Sequence, residues 1–415
     1  MINHSILCID MKSFYASVEC VDRGLNPLST PLVVADKSHG DGSIILAVSP
    51  YLKKLGIPSR LRIYELPNKN NIVFARPRMK RYLEVSSMIV NILLDYVNED
   101  DLHVYSIDEC FIDVTHYLRF FNCSSEELAN KIKQHIFDEF GLISTIGIGP
   151  NMLLAKVAMD VEAKHSSNQI AHWDYDDVST KLWKIFPLSK MWGIGRNYEK
   201  KLNSLGIYTV GDLACYPQEL LSKKFGIMGE QLHNHANGID DTNIREKYIS
   251  KETSLTSGQV FLRDYSYKEL PLIIKESLDD LMIRLHKQNK LCKRVGLFIS
   301  YSKESHRSLS HQVQLDAFCD DSNKIYDAIM SIFYQYVEDL PIRRLSIVLG
   351  NIKHCDYYQL DLLSDFNVEE KRHKLFNTIM IIKQKYGNNA ILRTSAKLPS
   401  SNIEYRHSLI GGHHK

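Results

Sequence analysis

The sequence predicts an α+β chain of several domains, and three observations carry that prediction. Short strands and helices alternate from Ser5 to about Trp173, a Gly-x-Gly helix–hairpin–helix pattern occupies Leu188–Ala214, and a second β-α-β-β-α-β run fills Glu252–Gly350. The 415 residues suit roughly two to four domains at about 100–200 residues each.

In the first region, strands are expected at Ser5–Asp10, Leu32–Ala35, Ser43–Val48, Val73–Ala75, His103–Ile107, Cys110–Val114 and Ser144–Ile148, each short, β-branched and bounded by turn residues. Helices are expected at Ser13–Val21, Arg78–Val97, Ser125–Phe140 and Met152–Ala163, the third opened by a capping box of Ser124 with Glu126 and Glu127. That order reads as helices on one face of a mixed sheet. Within it, the adjacent acids Asp108 and Glu109 interrupt an apolar hairpin, and Asp10 ends the apolar strand Ser5–Ile9. Ionised carboxylates on apolar strands need a compensating cation or an open edge. If the two segments are sheet neighbours, the acids converge on one edge and suggest a divalent-metal site; a structural ion-pair cluster is the alternative reading.

The next region changes character. Met191-Trp192-Gly193-Ile194-Gly195 precedes Tyr198, Leu202 and Leu205, and a second helix start follows Gly206 with Thr209 as its cap. Backbone N–H groups freed at Gly193 and Gly195 can hold a DNA phosphate without reading sequence, although an αα-hairpin that only packs has the same pattern. His235–Lys251 reads as a polar linker. Beyond it, helix Leu270–Gln288, strands Arg294–Ser300 and Ser308–Leu315, helix Asn323–Tyr336 and strand Arg344–Leu349 form a ferredoxin-like unit. Past Asp356 the patterning weakens, apart from a helix at Val368–Tyr386, so the tail looks appended.

Composition narrows the class of function. With 44% hydrophobic and 24% charged residues the chain reads as an ordinary globular protein. It has no apolar run of the roughly 20 residues that would span a bilayer, and no signal-peptide pattern. A cytoplasmic location without membrane contact is expected. The eight cysteines form no C-x-x-C pair and read as reduced, mostly core residues, and no metal role is expected of His413 and His414. Net charge is only +2, yet Arg284, Lys287, Lys290, Lys293, Arg294, Lys303 and Arg307 face the lone acid Glu304. Such a run suits a polyanion partner or a solvated helix face.

Four spaced motifs carry a family resemblance: Asp10-Met11-Lys12-Ser13-Phe14-Tyr15-Ala16-Ser17-Val18-Glu19, Ser106-Ile107-Asp108-Glu109, Ile148-Gly149-Pro150-Asn151 with Leu154-Ala155-Lys156, and the hairpin at Gly193–Gly195. Together they resemble the Y-family translesion DNA polymerases, most of all the UmuC-like error-prone branch of bacteria and mobile elements. The resemblance runs in order to about Gly350. It implies a right-handed polymerase with a ferredoxin-like palm (1–30 and 76–173), small fingers (31–75), a helix-hairpin-helix thumb (174–240), a second ferredoxin-like little finger (241–355) and a tail (356–415).

By position, the resemblance implies that Asp10, Asp108 and Glu109, with the carbonyl of Met11, bind two magnesium ions, Asp108 and Glu109 serving catalysis. Nucleotidyl transfer needs such a pair, about 3.5–4 Å apart, to activate the primer 3′-hydroxyl and to hold the triphosphate. The implied partners are primer-template DNA and deoxynucleoside triphosphates. Tyr15 matches the family's steric gate against a ribose 2′-hydroxyl, with Phe14 beside it. Many members carry a Tyr and, three residues later, an Arg in the finger helix; Pro50 and Lys53 stand there in this sequence, and Lys53 supplies a point charge without a bidentate fork. The second triphosphate base would be Lys164, one residue beyond the usual spacing. Phosphate contacts to DNA are expected at Gly193, Gly195, Lys290, Lys293 and Arg294. In the tail, Tyr358-Gln359-Leu360-Asp361-Leu362-Leu363 is similar to the peptide by which bacterial polymerases hold the ring-shaped sliding clamp, with Leu363 in place of an aromatic. This makes Gln359, Leu360, Leu362 and Leu363 candidate partner-binding residues. The function expected is low-fidelity synthesis past damaged bases. A catalytically silent DNA- and clamp-binding protein is the alternative, and a nucleotide cyclase on the same palm a further one. Intact acids speak against the first, and the helix–hairpin–helix against the second.

Overall fold

The computed structural model describes residues 4–67, 69–246, 253–355 and 366–415, which divide into two compact units, Met1–Lys247 and Tyr248–Lys415. In the first, β1 (Ile6–Met11) leads into α1 (Phe14–Val21). A small lobe follows, made of β2 (Leu32–Val34), β3 (Ala47–Val48), α2 (Pro50–Lys54) and β4 (Val73–Ala75). Then come α3 (Met79–Leu94), β5 (Leu102–Val104), β6 (Glu109–Asp113), α4 (Leu118–Phe121), α5 (Ser125–Phe140), β7 (Ser144–Gly149), α6 (Met152–Ala158) and β8 (Ile170–His172). Short helices α7 (Asp177–Thr180), α8 (Arg196–Asn203), α9 (Val210–Cys215), α10 (Gln218–Phe225) and α11 (Ile227–Ala236) complete it.

The main sheet has the order β5-β6-β1-β7-β8, antiparallel except for the parallel β7–β8 pair. Alternation along β1 explains its two cores. Leu7 and Ile9 face α3 and α5, packing with Ile89, Leu93, Leu128 and Ile132. Ile6 and Cys8 face the other way, onto Phe111, Met152, Ala155 and Met159. Helices therefore cover both faces, contrary to the one-sided arrangement expected from element order. Gly147 and Gly149 of β7 allow it, because a Cβ at either would collide with the backbone of Ala155.

Several segments differ from their sequence expectations. The strand expected at Ser43–Val48 is paired only at Ala47–Val48, with an isolated bridge from Ile44 to Arg62. The strand expected at His103–Ile107 ends at Val104, since Tyr105 and Ser106 both donate their backbone N–H groups to the Glu109 carbonyl in the turn. Residues 238–246, read as linker, fold back onto the sheet: Ile244 is buried beside Ile6 and Phe111, Asp240 accepts from the Leu153 N–H at 3.1 Å, and Arg245 pairs with Asp101 at 2.6 Å.

The second unit holds β9 (Leu255–Tyr265), α12 (Leu270–Lys287), β10 (Lys290–Tyr301), β11 (Ser308–Cys319), α13 (Ser322–Tyr336), β12 (Ile342–His354), α14 (Phe366–Tyr386) and α15 (Ile403–His407). Its antiparallel sheet, ordered β11-β10-β12-β9, packs Val295, Leu297, Ile299, Leu345, Ile347 and Leu349 against Leu278, Leu281 and Leu285 of α12 and Ile329 and Phe333 of α13. The tail is less appended than its patterning suggests. Arg393 pairs with Asp279 at 2.6 Å, Arg406 with Asp280 at 2.6 Å, and Asn402 bonds Gln259 at 3.1 Å. The acidic side of α12 thus finds cations on the chain's last segment. Gln359, Leu360, Leu362 and Leu363 lie outside the described residues. All eight cysteines are free, as expected.

Candidate active site

The acids meet through sheet register. Asp10 of β1 stands directly opposite Glu109 of β6, and cross-strand partners project from the same face. That face is the one α6 covers, because Asp10 follows Ile6 and Cys8 in alternation. Asp108 precedes the strand: its carbonyl accepts from the Met11 N–H at 2.9 Å, and its carboxylate accepts from the Ser106 hydroxyl at 2.8 Å. The turn therefore brings Asp108 beside the Asp10–Glu109 pair.

Two lysines balance these acids. Lys156 Nζ lies 2.7 Å from Glu109 Oε1 and 3.1 Å from Asp160 Oδ2. Lys164 Nζ lies 2.7 Å from Asp10 Oδ2 and 2.7 Å from Asp160 Oδ1. Cys8 adds its thiol, 3.3 Å from Glu109 Oε1. The result is a chain of alternating charge, Glu109–Lys156–Asp160–Lys164–Asp10. The helix expected at Met152–Ala163 changes character within this chain, α6 giving way at Met159–Ala163 to a π-helical turn. The turn carries Lys164 to Asp10.

Electrostatics favours a cation at this edge. Burial raises the Asp10 carboxyl above its ordinary value; Lys164 works against that shift, while Asp108 and Glu109 add to it. Burial likewise opposes charge on Lys164, but Asp10 and Asp160 outweigh it and hold the ammonium above the usual lysine range. Carboxylate oxygens are the hard donors that magnesium takes, and Asp10, Asp108 and Glu109 supply them on one edge. The donor set fits a divalent metal.

Tyr15 follows the β1–α1 turn, where Ser13 takes a left-handed conformation with φ of 53°. Its half-buried ring stacks on Tyr82 with centroids 4.5 Å apart and planes at 18°. Tyr82 is fully buried and donates its hydroxyl to the buried Glu19 at 2.7 Å. Phe14 is buried in the core that Leu7, Ile9, α3 and α5 share. Lys53 of α2 stays open to solvent; protein crowding its ammonium lowers its pKa, and Asp10 works the other way. Lys164 adds to the lowering.

At the glycine hairpin, Gly193 has φ of 88°, which excludes most side chains. Gly195 caps α8 with an ordinary φ of −86°, and a Cβ there would meet nothing within 4 Å. No protein contact requires its bare backbone, which suits close approach by a ligand. Thr209 caps α9 in a reciprocal box with Asp212. In the second unit, Lys290, Lys293 and Arg294 begin β10, and Lys293 stands over the Phe318 ring at 5.7 Å. Two other members of the basic run are engaged elsewhere: Arg284 donates to the Thr256 carbonyl at 2.8 Å, and Arg307 pairs with Glu338 beyond the far end of β10.

Sequence reasoning missed Asp160, Cys8 and Tyr82, and named Lys156 only as part of a motif. The Lys156-Asp160-Lys164 spacing, two successive i,i+4 pairs of opposite charge, was a readable signal. Nothing comparable flagged Tyr82.

The model of the impB/mucB/samB family matches residues 9–160, that of its C-terminal domain residues 249–362, and that of the DNA polymerase-iota thumb domain residues 189–240. The "Putative UV-damage repair protein UvrX" of Bacillus subtilis (strain 168) is 41% identical, over 99% of this chain and 97% of that protein. "DNA polymerase IV 2" of the same organism is 32% identical, over 99% of this chain and 98% of that protein. The solved "Y-family DNA polymerase chimera Dbh-Dpo4(243-245)-Dbh" shares the fold with a TM-score of 0.68 at 23% identity, covering 84% of this chain and 99% of its own.

Proposed function

The chain belongs to the impB/mucB/samB family of UmuC-like Y-family DNA polymerases and is a DNA-directed DNA polymerase; from that premise we propose that it copies damaged templates with low fidelity through a two-magnesium site. The observation that carries this reading is the convergence of Asp10, Asp108 and Glu109 on one edge, with Lys164 and Lys156 at 2.7 Å from two of them. Asp10, Asp108, Glu109 and the Met11 carbonyl hold the ions. Bound there, magnesium supplies activation of the primer 3′-hydroxyl and neutralises charge on the leaving pyrophosphate.

The chain's own residues do the rest by positioning. Lys164 and Lys53 are the charges for the triphosphate, and the gap left by Pro50 makes these contacts fewer than usual. Tyr15, held flat against Tyr82, excludes a 2′-hydroxyl, and Phe14 backs it from the core. Gly193 and Gly195 offer N–H groups to one phosphate run, and Lys290, Lys293 and Arg294 offer charge to another. Few contacts to the nascent pair give low discrimination. Gln359, Leu360, Leu362 and Leu363 tether the enzyme to a sliding clamp, and the whole operates in the cytoplasm. Primer extension on undamaged and lesion-bearing templates, with and without magnesium, tests the reading. Extension past a lesion only with magnesium is the expected result; no extension on either template overturns it.

A further inference from the structure

Asp160 belongs to neither strand of the acid pair, yet it is the group through which both active-site lysines are held. Its two oxygens are divided between them, Oδ2 with Lys156 at 3.1 Å and Oδ1 with Lys164 at 2.7 Å. Among the described residues, each lysine has one other acid partner, Glu109 for Lys156 and Asp10 for Lys164, at 2.7 Å in both cases. These outer partners are the carboxylates that the proposed metal site requires.

An ammonium and a divalent cation compete for the same carboxylate oxygen. A lysine whose sole partner were Asp10 would have to be expelled into solvent on metal binding, and its flexible stem would then carry the charge away from the site. Lys164 is not in that position, because Asp160 still holds it when Asp10 is given up. The turn that carries Asp160 is fixed: Met159 and Ala163 are fully buried, and Glu162 accepts from Trp173 Nε1 at 2.6 Å and pairs with Lys181 at 3.1 Å.

We propose that Asp160 is a positioning residue that retains Lys164 and Lys156 at the site while Asp10 and Glu109 pass to divalent cations, thereby setting the affinity of the acid edge for metal. The inference rests on the metal-site reading of Asp10, Asp108 and Glu109. Asp160 is not itself a metal ligand, since an ammonium occupies each of its oxygens. Without it, both lysines fall wholly on Asp10 and Glu109 and compete harder with the metal.

The test is equilibrium Mn2+ binding to the full-length chain without DNA or nucleotide, followed by the electron paramagnetic resonance of free Mn2+, with primer extension against Mg2+ concentration as a second readout. Asp160→Asn should weaken Mn2+ binding roughly three- to tenfold, the span of a partly buried ion pair. It should raise the Mg2+ needed for half-maximal extension in parallel, with kcat recovering at saturating metal. Asp160→Glu, which keeps the carboxylate, should stay near wild type and keeps the test informative if Asp160→Asn fails to fold. Asp160→Asn should weaken Mn2+ binding less in the Lys164→Met background than in the wild type, because one of the two competing ammonium groups is gone and only Lys156 still shifts onto Glu109. Unchanged Mn2+ affinity in Asp160→Asn overturns the proposal. So does full additivity with Lys164→Met, which would mean that Asp160 acts only through net charge. Asp10→Asn measured alongside separates the two levels: if it leaves Mn2+ binding intact, the metal-site reading itself is wrong.

Discussion

Trp192, the residue before the glycine hairpin, donates its indole N–H to the hydroxyl of Tyr105 at 3.2 Å. The two rings meet edge to face with centroids 5.9 Å apart, and both pack on Phe111 of β6. The backbone N–H of Tyr105 in turn bonds the Glu109 carbonyl. The hairpin proposed to hold DNA phosphates is therefore joined through one aromatic pair to the turn that carries Asp108 and Glu109.

Breaking that link should slow chemistry more than it weakens binding. Tyr105→Phe and Trp192→Phe each remove one partner of a half-exposed hydrogen bond, an effect of about 0.5–1.5 kcal/mol, or roughly a two- to tenfold drop in extension rate at saturating DNA. Because both changes remove the same bond, the double variant should be little slower than either single one. Rapid-quench kinetics on one primer-template, together with a DNA titration, decides the matter. Additive losses would leave the pair as two independent packing residues.

The acid edge gives a sharper outcome. Asp108→Ala or Asp10→Ala should abolish primer extension and leave DNA affinity within about twofold, since the acids serve the metal while phosphate contacts elsewhere carry the affinity. In Asp10→Ala, Lys164 keeps Asp160 at 2.7 Å, so the fold should tolerate the change. Extension at a tenth of the wild-type rate or more would remove these acids from the reaction.

Tyr15 makes a prediction at one remove. Tyr15→Ala should admit ribonucleotides by opening space for the 2′-hydroxyl. Tyr82→Leu should do so partially, because it removes the stacked surface, 4.5 Å away, that holds the Tyr15 ring. The measurement is the ratio of deoxy- to ribonucleotide incorporation efficiency. If Tyr82→Leu leaves the ratio unchanged while Tyr15→Ala shifts it, the gate orients itself without the stack.

What the sequence revealed followed from local constraint. Asp10, Asp108 and Glu109 were visible because acids in apolar strands are costly, and the alternation of β1 that puts Asp10 on the face of Ile6 and Cys8 is itself a sequence property, whereas the turn that brings in Asp108 is not. Lys164 was visible as a charge but not in place, since helical periodicity does not anticipate the π-turn at Met159–Ala163 that precedes it. The second helical face of the sheet was missed although Gly147 and Gly149, alternating in an apolar strand, signalled close approach by another backbone. Residues 238–246 read as linker because their anchors, Asp240 and Arg245, find partners at Leu153 and Asp101, far away in the chain. The Trp192–Tyr105 contact has the same character: residues 87 apart share no pattern that periodicity could reveal.

The basic run divides in the same way between what composition shows and what geometry does. Arg284 is engaged with the Thr256 carbonyl and Arg307 with Glu338, and Lys290, Lys293 and Arg294 start β10 together. These three should contribute to duplex binding. Replacing all three with Ala should weaken affinity for every DNA sequence alike and lower the slope of log Kd against log salt by about 0.9 for each phosphate no longer neutralised. Arg307→Ala should leave the slope unchanged, because its charge is already matched by a neighbouring carboxylate. Fluorescence anisotropy across a salt series distinguishes the two variants. A slope that falls equally in both would mean that the run acts as a diffuse field and not through the side chains at the start of β10; a slope that falls in neither would return the run to a solvated surface.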